Sequence, residues 1–99
     1  MLNKNLDKVI LEEIIEISKK HNEITKVILF GSRAREDNGD RSDIDLAIHC
    51  EESISDFIED IENNTTTLLE FDFSDMKSVN DELFIEQVNK EGIIIYEKY

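Results

Sequence analysis

Residues 43–49 constrain the fold most, because apolar and polar side chains alternate along this segment. In an extended strand, successive side chains point to opposite faces. The three large apolar side chains share one face: Ile44, Leu46 and Ile48. The remaining residues share the other face: Asp43, Asp45, Ala47 and His49. The alternation therefore predicts a strand with one buried face and one face that presents two aspartates.

Three other segments have helical periodicity. Apolar residues at helical spacing predict an amphipathic helix over about residues 5–20 and a second helix that follows Ser53 as its cap. A last helix is predicted over residues 79–90, and Gly92 would close its C-terminal end.

Three further segments have the composition of strands. Residues 27–30 are apolar and β-rich, residues 69–73 alternate, and residues 93–96 form a final apolar run. Ninety-nine residues suffice for one core but not for a second substrate-binding domain. The sequence therefore predicts a single α+β domain over residues 1–99. It would be a small mixed β-sheet with helices packed on one face and the other face partly open.

The chain is strongly acidic, with 24 acidic residues, 11 basic residues and a net charge of −13. Such a chain repels nucleic-acid phosphates, so a nucleic-acid substrate is disfavoured. All three arginines fall within residues 33–41, which predicts one local positive region. Cys50 is the single cysteine, and no signal peptide or membrane-spanning run is evident. We therefore expect a cytoplasmic protein without a membrane partner.

Asp43 and Asp45 lie two residues apart on the predicted strand, so both side chains point the same way, about 6–7 Å apart at the backbone. Two such carboxylates can share hard cations. Mg²⁺ usually takes one or two carboxylates from the protein, and water and substrate phosphates complete its shell. Asp72 has the outward parity on another predicted strand and is a candidate third carboxylate. Three carboxylates with two Mg²⁺ ions would hold a triphosphate and activate an attacking hydroxyl.

Phe30-Gly31-Ser32 lies where a predicted strand ends, and Ser32 can cap a short helical turn that runs through Arg35. A glycine there lets backbone N–H groups approach phosphate oxygens, and Ser32 adds a hydroxyl donor. Arg33 or Arg35 could offset phosphate charge, which guanidinium groups do well. This junction is therefore a candidate phosphate-binding segment.

The two candidate segments occur in a specific combination. Gly31-Ser32-Arg33-Ala34-Arg35 is followed, after seven residues, by Asp43-Ile44-Asp45-Leu46. This pair resembles the signature of the DNA polymerase beta-like nucleotidyltransferase superfamily, and within it the chain is similar to the minimal nucleotidyltransferases. The resemblance covers nearly the whole chain, including Phe71-Asp72-Phe73 and the ending over residues 90–96.

The resemblance implies roles by position. The implied phosphate-binding and nucleotide-binding residues are Gly31, Ser32, Arg33 and Arg35. The implied metal ligands, which are also the catalytic carboxylates, are Asp43, Asp45 and Asp72. Asp72 would in addition activate the acceptor.

The resemblance also implies a donor, a cofactor and a partner. Minimal members are often encoded with a HEPN-domain protein, and some transfer AMP to it as the antitoxin of a toxin–antitoxin pair. We therefore expect Mg²⁺-dependent transfer of a nucleoside monophosphate, AMP from ATP, to a hydroxyl of a HEPN toxin. The alternative is a binding module that neutralises its partner by occlusion. Glu36 favours the alternative, because many family members have glycine there and a carboxylate repels phosphate.

Each candidate also has a structural interpretation. The paired aspartates could be solvated residues of a half-exposed strand. Asp72 competes with its neighbours Glu70 and Asp75 for the role of third carboxylate. Arg33 and Arg35 could instead form ion pairs with nearby acidic side chains.

Overall fold

The computed structural model describes residues 6–99, in which four helices and four strands follow one another along the chain. The helices are α1 (Lys8–Lys20), α2 (Ser32–Arg35), α3 (Ser55–Asn64) and α4 (Glu82–Glu91). The strands are β1 (Ile24–Phe30), β2 (Ile44–Cys50), β3 (Phe71–Asp75) and β4 (Ile93–Glu97). Every predicted element is present, and the predicted start of the first helix at residue 5 lies outside the described residues.

The four strands form one mixed sheet in the order β3-β2-β1-β4. β1 pairs antiparallel with both β2 and β4, whereas β2 pairs parallel with β3. The predicted α+β class and mixed sheet are confirmed. The register sets Asp45 of β2 opposite Phe30 of β1 on one side and opposite Asp72 of β3 on the other.

The main core lies between one face of the sheet and helices α1 and α3. The predicted buried face of β2 is fully buried there, together with Ile14 of α1 and Phe57 of α3. Burial of one such large apolar side chain stabilises the fold by about 1.5–3 kcal/mol. The alternation along β2 therefore fixes which way this strand faces.

Helix α4 packs against the opposite face of the sheet. Val88 of α4 lies over Ile28 of β1 and Ala47 of β2, and all three are buried. Phe84 meets the ring of Phe30 edge to face, with 5.4 Å between the ring centroids. This differs from the expectation that all helices share one face. Ala47 lies on the face predicted to be open, and its small side chain lets a helix pack directly above it.

Strand boundaries differ slightly from the predicted ones. β1 begins at Ile24, before the predicted residue 27, because Ile24 pairs with Cys50 of β2 although two polar residues follow it. β2 begins at Ile44, so Asp43 lies just before the strand. β3 begins at Phe71, and the carbonyl of the preceding Glu70 accepts a hydrogen bond from the Ile44 N–H.

Helix starts differ as well. Ile54 is the N-cap of α3, and the predicted cap Ser53 accepts a hydrogen bond from the backbone N–H of Ser55, the first helical residue, at 3.1 Å. α4 begins after Asp81, whose carboxylate accepts two backbone N–H groups of the first turn. Within residues 6–99, no helix combines the length and apolar character needed to span a bilayer.

Candidate functional site

The site begins at Gly31, where β1 ends and α2 starts. Gly31, in place of the predicted Ser32, is the N-cap of α2 and has φ 76°, a conformation that residues with a Cβ rarely adopt. A Cβ at this position would also collide with the Asp45 carboxylate. Glycine is therefore needed here for two reasons: it adopts this backbone conformation, and it lets this segment approach β2 closely.

Asp45 lies between two other carboxylates. The parallel register of β2 and β3 sets it beside Asp72, and neighbouring strands lie about 4.8 Å apart. Asp43 lies two residues before Asp45 and directly precedes β2. Asp45 is half-buried, whereas Asp43 and Asp72 are exposed. The structure thus brings the three predicted carboxylates to one end of the sheet.

The electrostatics of Asp45 reflect this crowding. Burial raises the pKa of Asp45, and the negative charges of Asp72 and Asp43 raise it further. The positive charges of Arg35 and Arg33 oppose the rise without cancelling it. The carboxylate end of the sheet therefore carries negative charge that the two arginines do not neutralise.

The donor chemistry of this end fits Mg²⁺, because all of the candidate ligands are carboxylate oxygens. Among the side chains of residues 6–99, no three acidic, imidazole or thiol groups form a ready-made metal site. Two carboxylates are nevertheless enough for Mg²⁺, which takes its other ligands from water and phosphates. Asp43 and Asp45 are the two candidate carboxylates here, and Asp72 lies opposite Asp45 in the register.

Arg33, predicted to meet phosphate, is directed elsewhere. Its side chain is buried, and the residue is 5% exposed. Nε and Nη2 donate to the carbonyl oxygen of Ser42 at 3.2 Å and 2.8 Å, and Nη2 donates to the carbonyl oxygen of Asp40 at 3.5 Å. Sequence analysis missed these contacts, because hydrophobic patterning carries no information about a buried arginine in a polar segment.

Arg35 is exposed and pairs with two acids. Nε donates to Oδ2 of Asp37 at 3.2 Å, and Nη1 donates to Oε1 of Glu91 at 3.5 Å. The hydrogen bond and charge of Asp37 raise the pKa of Arg35. Ion pairs in water are weak, so these contacts do not prevent Arg35 from meeting a phosphate. With Gly31, Arg35 also borders a small cavity of about 100 Å³ beside α4.

Asp75 and Glu70, the other candidates for the third carboxylate, have different surroundings from Asp72. Asp75 accepts hydrogen bonds from the backbone N–H and Nζ of Lys77, at 3.1 Å and 3.2 Å, and so supports the turn after β3. Glu70 precedes β3 and has no register partner in β2. Asp72 is the acid of β3 that pairs with Asp45. The register therefore favours Asp72 as the third carboxylate.

A larger cleft of about 470 Å³ lies at the other end of β2, with Lys26, His49 and Lys77 in its lining. Burial lowers the pKa of His49, and the charge of Lys26 lowers it further. Lys26 pairs with Glu97 at 3.5 Å, and Lys77 pairs with Asp75 at 3.2 Å. Size alone would select this cleft, but Gly31 and the register pair Asp45 and Asp72 lie at the opposite end of β2. The chemistry selects the carboxylate end.

Comparisons with known proteins bear on the family and the fold rather than on single residues of the site. Residues 12–99 match the model of the family described as Polymerase beta, Nucleotidyltransferase. Comparison with curated proteins gives no significant match.

Solved structures with the same fold include two toxin–antitoxins. A toxin–antitoxin with AMP-PNP is 17% identical, with a TM-score of 0.66 over 89% of this chain and 73% of that chain. A mutant of the toxin–antitoxin MntA-HpeT, in which two aspartates two residues apart become glutamates, is 15% identical, with a TM-score of 0.63 over the same shares. A Sulfolobus solfataricus protein assigned as a nucleotidyltransferase is 22% identical, with a TM-score of 0.57 over 97% and 86%. At these identities the likeness establishes the fold.

Proposed function

Because this chain belongs to the polymerase beta nucleotidyltransferase family, we propose that it transfers a nucleoside monophosphate, AMP from ATP, to a hydroxyl of a partner protein. The transfer would depend on Mg²⁺. The observation that carries the proposal is the pairing of Asp45 with Asp72 beside Gly31. It places three groups close together. These are a segment that could bind phosphate, carboxylates that could bind a cation, and a carboxylate that could accept a proton.

The proposed step is a displacement at the α-phosphorus of ATP. The acceptor oxygen bonds to this phosphorus, the bond to the oxygen that bridges to the β-phosphate breaks, and pyrophosphate leaves. The acceptor hydroxyl gives its proton to Asp72, which is exposed beside Asp45 and accessible to an incoming side chain. A positioned base of this kind contributes about 10²–10⁴-fold to a rate.

The other residues bind the nucleotide. Gly31 and Ser32 would hold the triphosphate, since the first turn of a helix leaves N–H groups unused and Ser32 adds a hydroxyl. Arg35 would supply positive charge by exchanging its exposed acidic partners for phosphate. Asp43 and Asp45 would hold Mg²⁺, which offsets phosphate charge when it is bound.

The proposed partner and acceptor is a toxin of the HEPN class. Two proteins with this fold are toxin–antitoxins, and one of them was solved with AMP-PNP. The MntA-HpeT mutant alters two aspartates with the spacing of Asp43 and Asp45. The net charge of −13 supports a protein partner with a basic surface over a nucleic acid. The HEPN class itself rests on the resemblance to the minimal nucleotidyltransferases.

A second function, neutralisation of the toxin by occlusion without transfer, is favoured by Glu36. This residue follows α2 directly and is exposed, so it presents a carboxylate close to the phosphate-binding segment. A negative charge there opposes triphosphate binding by Coulomb repulsion. The two functions differ in whether the complex forms with or without modification of the toxin.

An intact-mass measurement distinguishes them. The co-expressed toxin is incubated with this protein, ATP and Mg²⁺, and its mass is followed. Asp72→Ala is expected to reduce transfer by about 10²–10⁴-fold and to retain the complex, because an exposed carboxylate adds little to folding. Glu70→Gln is the matched control, an exposed acid just before β3, and should transfer as the wild type does.

Two outcomes would change the proposal. An unmodified toxin with the wild-type protein, together with full protection of cells by Asp72→Ala at matched expression, would establish occlusion instead. Transfer that survives Asp72→Ala but is lost in Glu70→Gln would move the third carboxylate to Glu70.

A further inference from the structure

We infer that Arg33 is a positioning residue, which sets Asp43 for cation binding by holding the backbone of the residue before it. The inference rests on the proposed metal-dependent transfer. It gives Arg33 an indirect role through Ser42, where the sequence predicted a direct contact with phosphate.

The first step of the argument is the direction of the guanidinium. Arg33 and Ser18 are the buried polar side chains of the described chain. Nε and Nη2 of Arg33 both donate to the carbonyl oxygen of Ser42, at 3.2 Å and 2.8 Å. That carbonyl belongs to the peptide group joining Ser42 to Asp43, which is planar and includes the Cα of Asp43. Holding the carbonyl therefore fixes the point from which the Asp43 side chain leaves the backbone.

The second step is how the connecting turn is held. Ser42 and Gly39 close the turn, since the Ser42 N–H donates to the Gly39 carbonyl at 3.3 Å and the Gly39 N–H donates to Ser42 Oγ at 2.9 Å. These bonds lie within an exposed polar turn. The bonds from Arg33 to Ser42 and Asp40 attach that turn to α2 through a buried group.

The third step is why arginine suits this position. Two N–H groups of one rigid plane converge on a single carbonyl, and the same plane reaches the carbonyl of Asp40. A lysine presents its donors from one atom on a flexible stem and cannot reproduce that fork. The bonds to Ser42 are also part-buried, so the Ser42 carbonyl cannot fully replace a lost donor with water. Replacement of Arg33 by lysine therefore loosens the peptide before Asp43 while keeping the charge.

The test compares Arg33→Lys with Arg41→Lys. Arg41 is exposed and adjoins Ser42, so its conservative change is a matched control. Mn²⁺ alone is the probe, titrated without nucleotide and followed by the electron paramagnetic resonance of the free ion. Loss of a group that orients a metal ligand weakens binding by about 10–100-fold. Arg33→Lys should show a loss of that order, and Arg41→Lys should bind Mn²⁺ as the wild type does.

A second measurement is independent of activity and of metal. Trypsin cuts after basic residues, and cleavage after position 41 reports how firmly the turn is held. Arg33→Lys is expected to be cut there faster than the wild type, with the fragments identified by mass. A folded Arg33→Lys protein with wild-type Mn²⁺ affinity and wild-type cleavage would overturn the inference.

A different experimental result would show that the proposed metal-dependent function, and not the role of Arg33, is wrong. Mn²⁺ binding that is unaffected by Asp45→Asn would overturn the metal site itself, while cleavage after position 41 still tests the contact between Arg33 and Ser42. If Arg33→Lys does not fold, the wild-type protein supplies the test by nuclear magnetic resonance. The Nε–H signal of Arg33 should shift on Mg²⁺ addition with the same midpoint as the backbone N–H of Asp43. An Arg33 signal that does not respond would overturn the inference.

Discussion

At the residue scale, two positions with positive φ flank α2: Gly31 at 76° and Glu36 at 68°. Glycine adopts such angles freely, whereas a residue with a Cβ pays about 1–2 kcal/mol for the left-handed conformation. The N–H of Glu36 donates to the Ser32 carbonyl, and the left-handed conformation at Glu36 brings the N–H of Asp37 to the same carbonyl at 3.0 Å, which ends α2. A glycine at this position, as the resemblance implies for many family members, would therefore have a backbone explanation as well as an electrostatic one.

Glu36→Gly is expected to raise the free energy of unfolding by about 1 kcal/mol, because relief of backbone strain outweighs the greater freedom of glycine in the unfolded chain. Urea unfolding followed by circular dichroism measures the change. Glu36→Gln is the matched control, since it removes the charge and keeps the Cβ. Equal stabilisation by both variants would show that charge, and not conformation, destabilises the wild type.

At this scale, a contact can be predicted from the sequence only when its residues lie close together along the chain. The spacing of Gly31, Asp43 and Asp45 is short-range and is visible in the sequence. The pairing of Arg35 with Glu91 joins residues 56 positions apart. Such a contact leaves no local pattern, and neither does the burial of Arg33.

At the element scale, the turn from α4 to β4 uses glycine differently. Gly92 ends α4 as predicted, but its φ of −73° is open to any residue. A Cβ at Gly92 would instead collide with the side chain of Ile28 and the carbonyl of Val88. Gly92 therefore allows α4 and β4 to approach β1 closely.

Gly92→Ala is expected to lower the free energy of unfolding by about 1–3 kcal/mol, the usual cost of overpacking. Gly39→Ala is the control, because its added Cβ would meet Ser42 Oγ at an ordinary 3.8 Å. Thermal unfolding of both variants measures the difference. A comparable loss in Gly39→Ala would contradict the packing explanation.

The sequence was a good guide to which helices and strands form. It was a poorer guide to which face of the sheet each helix covers. Periodicity, apolar runs and cap residues identified the helices and strands of residues 6–99, since these signals depend on neighbours in the chain. The docking of α4 above Ala47 depends on contacts between distant segments. For the same reason, alternation within β2 and within β3 does not determine that these two strands pair in parallel.

At the scale of the whole molecule, His21 connects the two helices of the main core. It follows α1, and its Nε2 lies 2.8 Å from Oδ2 of Asp60 in α3, while Nδ1 lies 3.2 Å from Oε2 of Glu23. Its ring meets Phe57 edge to face at 5.6 Å. Burial lowers the pKa of His21, but the hydrogen bonds and charges of Asp60 and Glu23 outweigh burial and raise it above 6.5.

The stability of the fold should therefore depend on pH. A raised folded pKa means that the contribution of protonated His21 is complete below about pH 6.5 and is lost as pH rises through the folded pKa. The pKa of Asp60 is lowered by the hydrogen bond from His21, so its contribution is lost only as pH falls through that lowered pKa. Urea unfolding should show stability that declines as pH rises above about 6.5 and that levels off above the raised pKa of His21.

Asp60→Asn is expected to flatten that decline, because it removes one of the two acids that hold the proton on His21. His49 gives an internal control, since its pKa is lowered while that of His21 is raised. Proton resonances of the two imidazoles should titrate on opposite sides of 6.5. A His21 resonance that titrates below His49 would contradict the assignment.

The position of β3 has a consequence for how the molecule loses activity. In the described sheet β3 is an edge strand, and none of its residues is fully buried. Segments with few buried contacts open at a lower free energy than the whole domain. Fraying of this edge would carry Asp72 away, while Asp45 stays on β2 and Gly31 stays at the end of β1. On warming, the proposed enzyme would lose transfer before it loses its fold, so the midpoint for activity would lie at a lower temperature than the midpoint for unfolding.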